Sequence, residues 1–278
     1  MLRIGPAGIG GVKEAESKLL EYHKLGFTAA EVSFTYSTYL KKDDAIRIGK
    51  LAKKLNIQLS IHGSYYINLN SEDEEKIEKS KDRILGACEI GHYLGAKDIV
   101  FHAGYFGKRD KEESYQIIKE NLIELQKEVT KNKWDIKLSP ETTGKISVFG
   151  SLKETLRLAK ETNTAFCIDF AHLKARNQGE IDFNEIIKEI NHKDFHIHYS
   201  GINYGPKGEK NHIPIDVEEF KVLAKALKKY KISDYIFLTG TEEVKDRKNF
   251  NDMSNYINLP RNKIFHPHTI NKLRCLLK

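Results

Sequence analysis

The stretch "DIVFHAG", residues 98–104, is a short apolar run that stops at a histidine and a glycine. The residues before it, "EDEEKIEKSKDRILGACEIGHYLG" (72–95), repeat apolar side chains at close to i, i+3, i+4 and i+7, the spacing of an amphipathic helix. The same unit recurs along the chain. The short runs are Leu2–Ile4, Ala30–Phe34, Ile57–Ile61, Asp98–Phe101, Asp135–Leu138, Ala165–Ile168, Phe195–Tyr199 and Tyr235–Leu238. They are spaced by roughly 30 to 40 residues, the size of a βα unit. Between them lie helix-like segments such as "GVKEAESKLLEYHKLG", "KKDDAIRIGKLAKKLN" and "VEEFKVLAKALKKYK". "SEDEE" at 71–75 offers a helix cap, and Gly26, Asn56 and Gly95 offer helix stops. Eight alternations predict the α/β class and a (β/α)8 TIM barrel. A chain of 278 residues suits one such domain. The expectation is a barrel over about 1–240 and an atypical C-terminal segment, 241–278, of poor helical periodicity, closed by a helix over Thr269–Leu277.

Composition narrows the classes. The hydrophobic fraction of 40% is enough for a core. No apolar run approaches the roughly 18 residues of a membrane span. The start "MLRIGPAGIGG" lacks a signal-peptide pattern, so a cytoplasmic protein is expected. Cys88, Cys167 and Cys275 are scattered, which makes neither a disulfide framework nor a zinc knuckle. Cys167 sits in an apolar run and reads as a small core residue. The net charge of +7 favours polyanions such as nucleic acid, although Lys- and Glu-rich helix faces account for it equally well. "GPAGIGG" lacks the Gly-Lys-Ser/Thr ending of a phosphate loop and reads as a turn. No G-x-S-x-G nucleophile elbow exists. "HPH" at 266–268 lies outside the strand-end series.

In such a barrel the active site lies at the C-terminal strand ends. Strand 3 ends at His62, strand 4 at His102, strand 5 at Glu141 and strand 6 at Asp169, with His172 three residues on. Strand 7, "FHIHYSG", puts His196 and His198 on one face, and the loop after it carries Glu209 and His212. Imidazoles and carboxylates gathered at one rim suit Zn2+, or Mn2+ or Fe2+. Carboxylates among histidines also suit bridging of two ions, an arrangement that serves phosphoester hydrolysis.

"IHGSYYINL", "FHAG", "PETTG", "CIDFAH" and "HIHYSG", in this order over roughly residues 1–215, resemble the endonuclease IV family. These are the family 2 apurinic/apyrimidinic (AP) endonucleases of the xylose-isomerase-like TIM barrel superfamily. The resemblance implies a barrel that uses three zinc ions to cut the DNA backbone 5′ to an abasic site. It places His62 and His102 on the first metal. Glu141 bridges the first and second and orients or deprotonates the attacking water. Asp169 falls on the second metal, and His172 and His212 on the third. Anchoring on Ser200 puts His196 at the strand-7 ligand position and His198 where the family has asparagine. Tyr65, with Tyr66 beside it, falls near the DNA.

Two positions depart from the family. Strand 8 reads "YIFLTGTEEV", with Thr239 or Gly240 where the family has a metal-binding glutamate, and Glu242 past the strand end. Two residues before His212, where the family has aspartate, stands Lys210, and the nearest acid is Glu209. The resulting expectation is a monomeric DNA-repair hydrolase with two or three zinc ions and damaged duplex DNA as its partner. Lys108, Arg109, Lys174, Arg176, Lys207 and Lys210 would lie along the phosphates. The alternatives are a sugar isomerase or epimerase using Glu141, Asp169 and a strand-7 histidine around one metal, and a diverged nucleic-acid-binding relative.

Overall fold

The apolar runs form strands, and those of the first, third, fifth and sixth runs sit one or two residues further along the chain than hydrophobicity alone suggests. A computed structural model describes residues 2–233 and, for the backbone alone, 235–238. The strands are β1 (Arg3–Pro6), β2 (Ala29–Ser33), β3 (Gln58–His62), β4 (Ala96–Phe101), β5 (Lys137–Pro140), β6 (Cys167–Asp169), β7 (His196–Tyr199), β8 (Gly201–Gly205), β9 (Gly208–Ile213) and β10 (Tyr235–Leu238). The helices are α1 (Ala15–Lys24), α2 (Lys42–Lys54), α3 (Glu74–Leu94), α4 (Lys111–Lys131), α5 (Leu152–Thr162), α6 (Phe170–Arg176), α7 (Phe183–Ile190) and α8 (Val217–Lys229). Thr239, Gly240, Glu242, the "HPH" stretch and the helix expected over Thr269–Leu277 lie outside the described residues.

The strands pair in parallel in two arcs, β2-β3-β4-β5 and β6-β7-β10-β1. Parallel bridges Ala7↔Glu31 and Glu141↔Cys167 join the arcs at both seams and close the barrel expected from the sequence. Helices pack outside it, and Leu19, Ile48, Ile84, Leu122, Leu158 and Leu223 are fully buried there. Helix α3 begins at Asp73, whose side chain accepts from the Glu75 backbone, and stops at Gly95 at φ +70°. Gly49 of α2 approaches α3 so closely that a Cβ there would meet the Leu94 carbonyl oxygen at 2.3 Å. Among the described residues no helix is long and apolar enough to cross a membrane.

The segment after β7, read from sequence as a loop, is an antiparallel hairpin of β8 and β9. Gly208, at φ +90°, closes its turn, a conformation that favours glycine. The hairpin is tied to the loop after β5: Glu209 N donates to Gly144 O, and Gly208 bridges Lys145. That tie brings Glu209 and His212 over the barrel mouth.

The barrel interior is unusual. TIM-barrel interiors are layers dominated by Val, Ile and Leu. Here alternate strand positions are polar and buried: Glu31 on β2, Ser60 and His62 on β3, Asp98 on β4, Ser139 on β5, Cys167 and Asp169 on β6, and His196 and His198 on β7. Glu141 follows β5 and is likewise buried. Such groups are tolerated because they satisfy one another across the barrel.

Candidate metal centre

Glu141 stands at the middle of the upper layer. Its Oε2 lies 3.2 Å from His62 Nε2 and 3.0 Å from His102 Nε2. Its Oε1 lies 2.6 Å from His198 Nδ1 and 3.9 Å from His172 Nδ1. The two oxygens of one carboxylate therefore face different histidines, His62 and His102 on Oε2 and His198 on Oε1, the disposition of a bridging ligand. A further group forms at the mouth, where Glu209 brings Oε2 to 3.6 Å from His172 Nε2 and Oε1 to 3.7 Å from His212 Nε2. Asp169 Oδ2 lies 3.6 Å from His172 Nδ1, and Asp169 Oδ1 accepts from the His172 backbone as the cap of α6.

Hydrogen bonds to the other ring nitrogens fix the tautomers. His62 Nδ1 donates to Gly63 O at 2.8 Å, and His172 Nδ1 to Thr142 O at 2.9 Å. Their Nε2 atoms are turned toward Glu141 and Glu209 respectively, where a cation can replace the ring proton. His212 Nδ1 pairs with Ser200 Oγ at 2.6 Å, which turns its Nε2 toward Glu209.

The donors fit a divalent metal. His62–Glu141–His198, His102–Glu141–His172 and His172–Glu209–His212 each gather donor atoms within 4.8 Å of one another. His102 Nε2 is buried with no hydrogen-bond partner among the described residues, yet it is 3.0 Å from Glu141 Oε2. Two atoms so close but not aligned for a hydrogen bond suit a shared ion between them.

The charges agree. Burial raises the Glu141 carboxyl, but the His198 charge and contacts from His102, His198 and His62 outweigh it and hold the group well below the ordinary range. Burial lowers His172, but Asp169, Glu209 and Glu141 outweigh it and push the ring up to about 9. Glu209, raised by burial, is held low by His172 and His212. Carboxylates that draw protons onto their histidines offer the same potential to a cation.

The sequence-expected residues are thus brought together with one exchange of place. His62, Tyr65, His102, Glu141, Asp169, His172, His198, Glu209 and His212 line the pocket. His196, expected at the ligand position, does not. It points deeper, toward Glu31 and Asp98, while His198, expected at the rim, meets Glu141. The barrel axis explains this, because His198 is two residues nearer the open C-terminal end. Sequence reading missed Glu31 and Asp98, although both fall on the same alternate-residue pattern as the histidines.

Tyr65 is 37% exposed, and its ring centroid is 5.7 Å from that of His62. Tyr66 lies outside the pocket lining, against Tyr36 and under Arg83. Three of the six basic residues are used structurally. Arg109 donates to the backbone oxygens of Asn70 and Ser71, Arg176 to those of Lys145 and Val148, and Lys174 pairs with Glu219. Lys108, Lys207 and Lys210 are exposed near the mouth loops.

Comparison with known proteins bears on this site. The family model described as xylose isomerase-like TIM barrel matches residues 19–256. An uncharacterised protein of Methanocaldococcus jannaschii is 38% identical over 84% of this chain and 89% of its own length. The endonuclease 4 homolog of Dictyostelium discoideum is 27% identical over 55% of this chain, a match that spans only 31% of that protein. Among solved structures, D-psicose 3-epimerase from Clostridium cellulolyticum H10 superposes with a TM-score of 0.74 over all of both chains at 13% identity, which is a likeness of fold.

Proposed function

Because this chain belongs to the xylose isomerase-like TIM barrel family, we propose that it is a metal-dependent phosphodiesterase acting on damaged duplex DNA, cutting the backbone 5′ to abasic sites. The observation that carries this reading is the double-faced Glu141, with His62 and His102 on one oxygen and His198 on the other, and the His172–Glu209–His212 group beside it. That arrangement has donors for more than one ion around a single opening. Divalent cations there supply Lewis acidity and lower the pKa of bound water.

The chain's own residues do the rest. Glu141 stays ionised and orients the attacking water from the floor of the pocket. Asp169 and Glu209 add negative charge that retains cations, and the tautomers of His62 and His172 are set by the backbone. Tyr65 at the mouth offers a ring to the bases flanking a missing one. Lys108, Lys207 and Lys210 provide positive charge for phosphates.

The space enclosed above the cluster by the described residues is about 110 Å³, whereas pockets that enclose a small molecule hold roughly 300–1,000 Å³. A shallow site suits one phosphate of a polymer laid across it better than a swallowed sugar. The competing reading is a sugar epimerase, a chemistry that this fold also carries in D-psicose 3-epimerase, with Glu141, Asp169 and His198 around one ion.

The test is incision of a duplex carrying one abasic site by Zn2+- or Mn2+-loaded protein, beside an intact duplex. Cleavage on the 5′ side of the lesion alone is expected. A fully loaded protein that leaves the abasic duplex intact, or that epimerises a ketohexose with one bound ion, sinks the proposal.

A further inference from the structure

Beneath the pocket, donor atoms converge from the neighbouring strands β6 and β7 and from β2 in the other arc. His196 Nε2 and His198 Nε2 on β7 lie 3.2 Å apart. From β2, Glu31 brings Oε2 to 3.2 Å from His196 Nε2 and Oε1 to 3.0 Å from His198 Nε2. Cys167, the β6 register partner of His196, places Sγ within 4.8 Å of donor nitrogens of both histidines. We propose that Glu31, Cys167, His196 and His198 bind a zinc-class divalent cation in a buried site below the open centre, with which it shares His198.

The distances admit an ion as well as hydrogen bonds. Bonds of about 2.0–2.1 Å in a tetrahedral site set nitrogen and oxygen donors roughly 3.3 Å apart. Orientation favours the ion. Glu31 Oε1 is buried and has no hydrogen-bond partner among the described residues, although an imidazole nitrogen stands 3.0 Å away. The open centre shows the same signature at His102.

The surroundings are built as metal sites are built, with carboxylates behind the imidazoles. Asp98 stands 3.8 Å behind His196 Nδ1 and is held by a hydrogen bond from Ser139 Oγ. Glu141 stands 2.6 Å behind His198 Nδ1, so His198 ties the two centres together. Ser60 Oγ donates to Glu31 Oε2 at 2.9 Å. Glu31 is a carboxylate buried in the barrel interior, and a doubly charged cation balances it together with a Cys167 thiolate.

The donor set of two imidazoles, a carboxylate and a thiol selects zinc or a similar soft-tolerant ion over magnesium or calcium. No donor is more than 1% exposed, so the ion has no open position for substrate and serves to hold β2, β6 and β7 together. The site also gives the strand-7 histidines a carboxylate from β2, in a chain whose strand 8 runs "FLTGT" where the resembling family has glutamate. None of this rests on the DNA-cleaving reading.

The test is zinc content of the full-length protein, saturated with Zn2+ and freed of loosely held metal, by mass spectrometry. Glu31→Gln keeps the side chain's shape and is expected to lose one equivalent per chain with an unchanged circular dichroism spectrum. His212→Ala loses metal from the open centre and keeps the inner ion. Zinc X-ray absorption of the wild type is expected to show a sulfur neighbour at about 2.3 Å, absent in Cys167→Ser. A folded Glu31→Gln protein with wild-type zinc content overturns the site. So does a wild-type spectrum with no sulfur neighbour, or one whose sulfur contribution survives Cys167→Ser.

Discussion

Two layers of one barrel interior carry the same residue types and differ in access to water. The upper layer, around Glu141, opens to solvent through His102, Glu209 and His212, which are only partly buried. The lower layer of Glu31, Asp98, Cys167 and His196 is at most 2% exposed. Closed metal sites hold structure, and sites with a free position do chemistry. The contrast comes from strand register. A residue two positions further along a barrel strand rises one layer toward the mouth, so on one four-residue strand His196 stays in the lower layer while His198 stands between the two, with Nε2 toward Glu31 and Nδ1 toward Glu141.

The sharpest way to break the comparison is metal removal. A strong chelator is expected to abolish incision at once, because the upper ions face water, while one slowly released equivalent remains until the protein opens. Ligands present at 100 to 1,000 times their dissociation constant stabilise a fold by roughly 3–4 kcal/mol. Loss of the retained equivalent is therefore expected to lower the melting temperature more than loss of the fast ones. Time-resolved chelation read with a metal dye checks this, and a single release phase for all the metal would erase the distinction between the layers.

Glu141→Gln comes next. It keeps the shape of the bridge and removes its charge, so His62, His102 and His198 lose their shared anion. Activity is expected to fall by about 10²–10³-fold, the scale of losing one well-placed electrostatic partner in an active site. Steady-state incision kinetics on the folded variant read it. Retention of full activity would remove Glu141 from the chemistry.

Asp98→Asn probes the lower layer more gently. Asp98 acts only through His196, and removing such a supporting carboxylate costs about 10–100-fold in metal affinity. The expected result is weaker retention of the slow equivalent at unchanged incision rate, measured by competition with a chelator. An equal loss from the fast and slow pools would make the two layers one network.

The two layers also differ in how far sequence revealed them. His62, His102, Glu141 and Asp169 were legible because each interrupts an apolar run at its end, where a barrel keeps its chemistry. Glu31 sits inside "AAEVS" and Asp98 opens "DIVF", positions where one polar residue reads as a strand boundary. Their signal was alternation, the period of two that sets Ser60 with His62, Ser139 with Glu141 and Cys167 with Asp169. The order of the strand-7 histidines was anchored on Ser200, which pairs with His212, and the structure sets His198 rather than His196 beside Glu141. The β8–β9 hairpin was missed because "GINYGPKGEKNHI" has little hydrophobic contrast, and its position is set by ties to Gly144 and Lys145 far away in sequence.

The smallest effect expected is at the mouth, and it separates Tyr65 from Tyr66. Both rings are partly exposed, but only Tyr65 lines the pocket, packed near His62 and His102. Tyr66 rests against Tyr36 and Arg83 instead. Stacking of a base on an aromatic ring is worth about 1–3 kcal/mol, so Tyr65→Ala is expected to weaken binding of abasic duplex by roughly 5- to 100-fold. Tyr66→Ala should cost much less. Because Tyr65 also touches the ligand histidines, lost affinity alone could reflect a loosened metal centre. Tyr65→Phe keeps the ring and should restore binding, and zinc content should stay constant across all three variants. Equal losses at Tyr65 and Tyr66 would place the DNA contact on the outer aromatic surface rather than at the open layer.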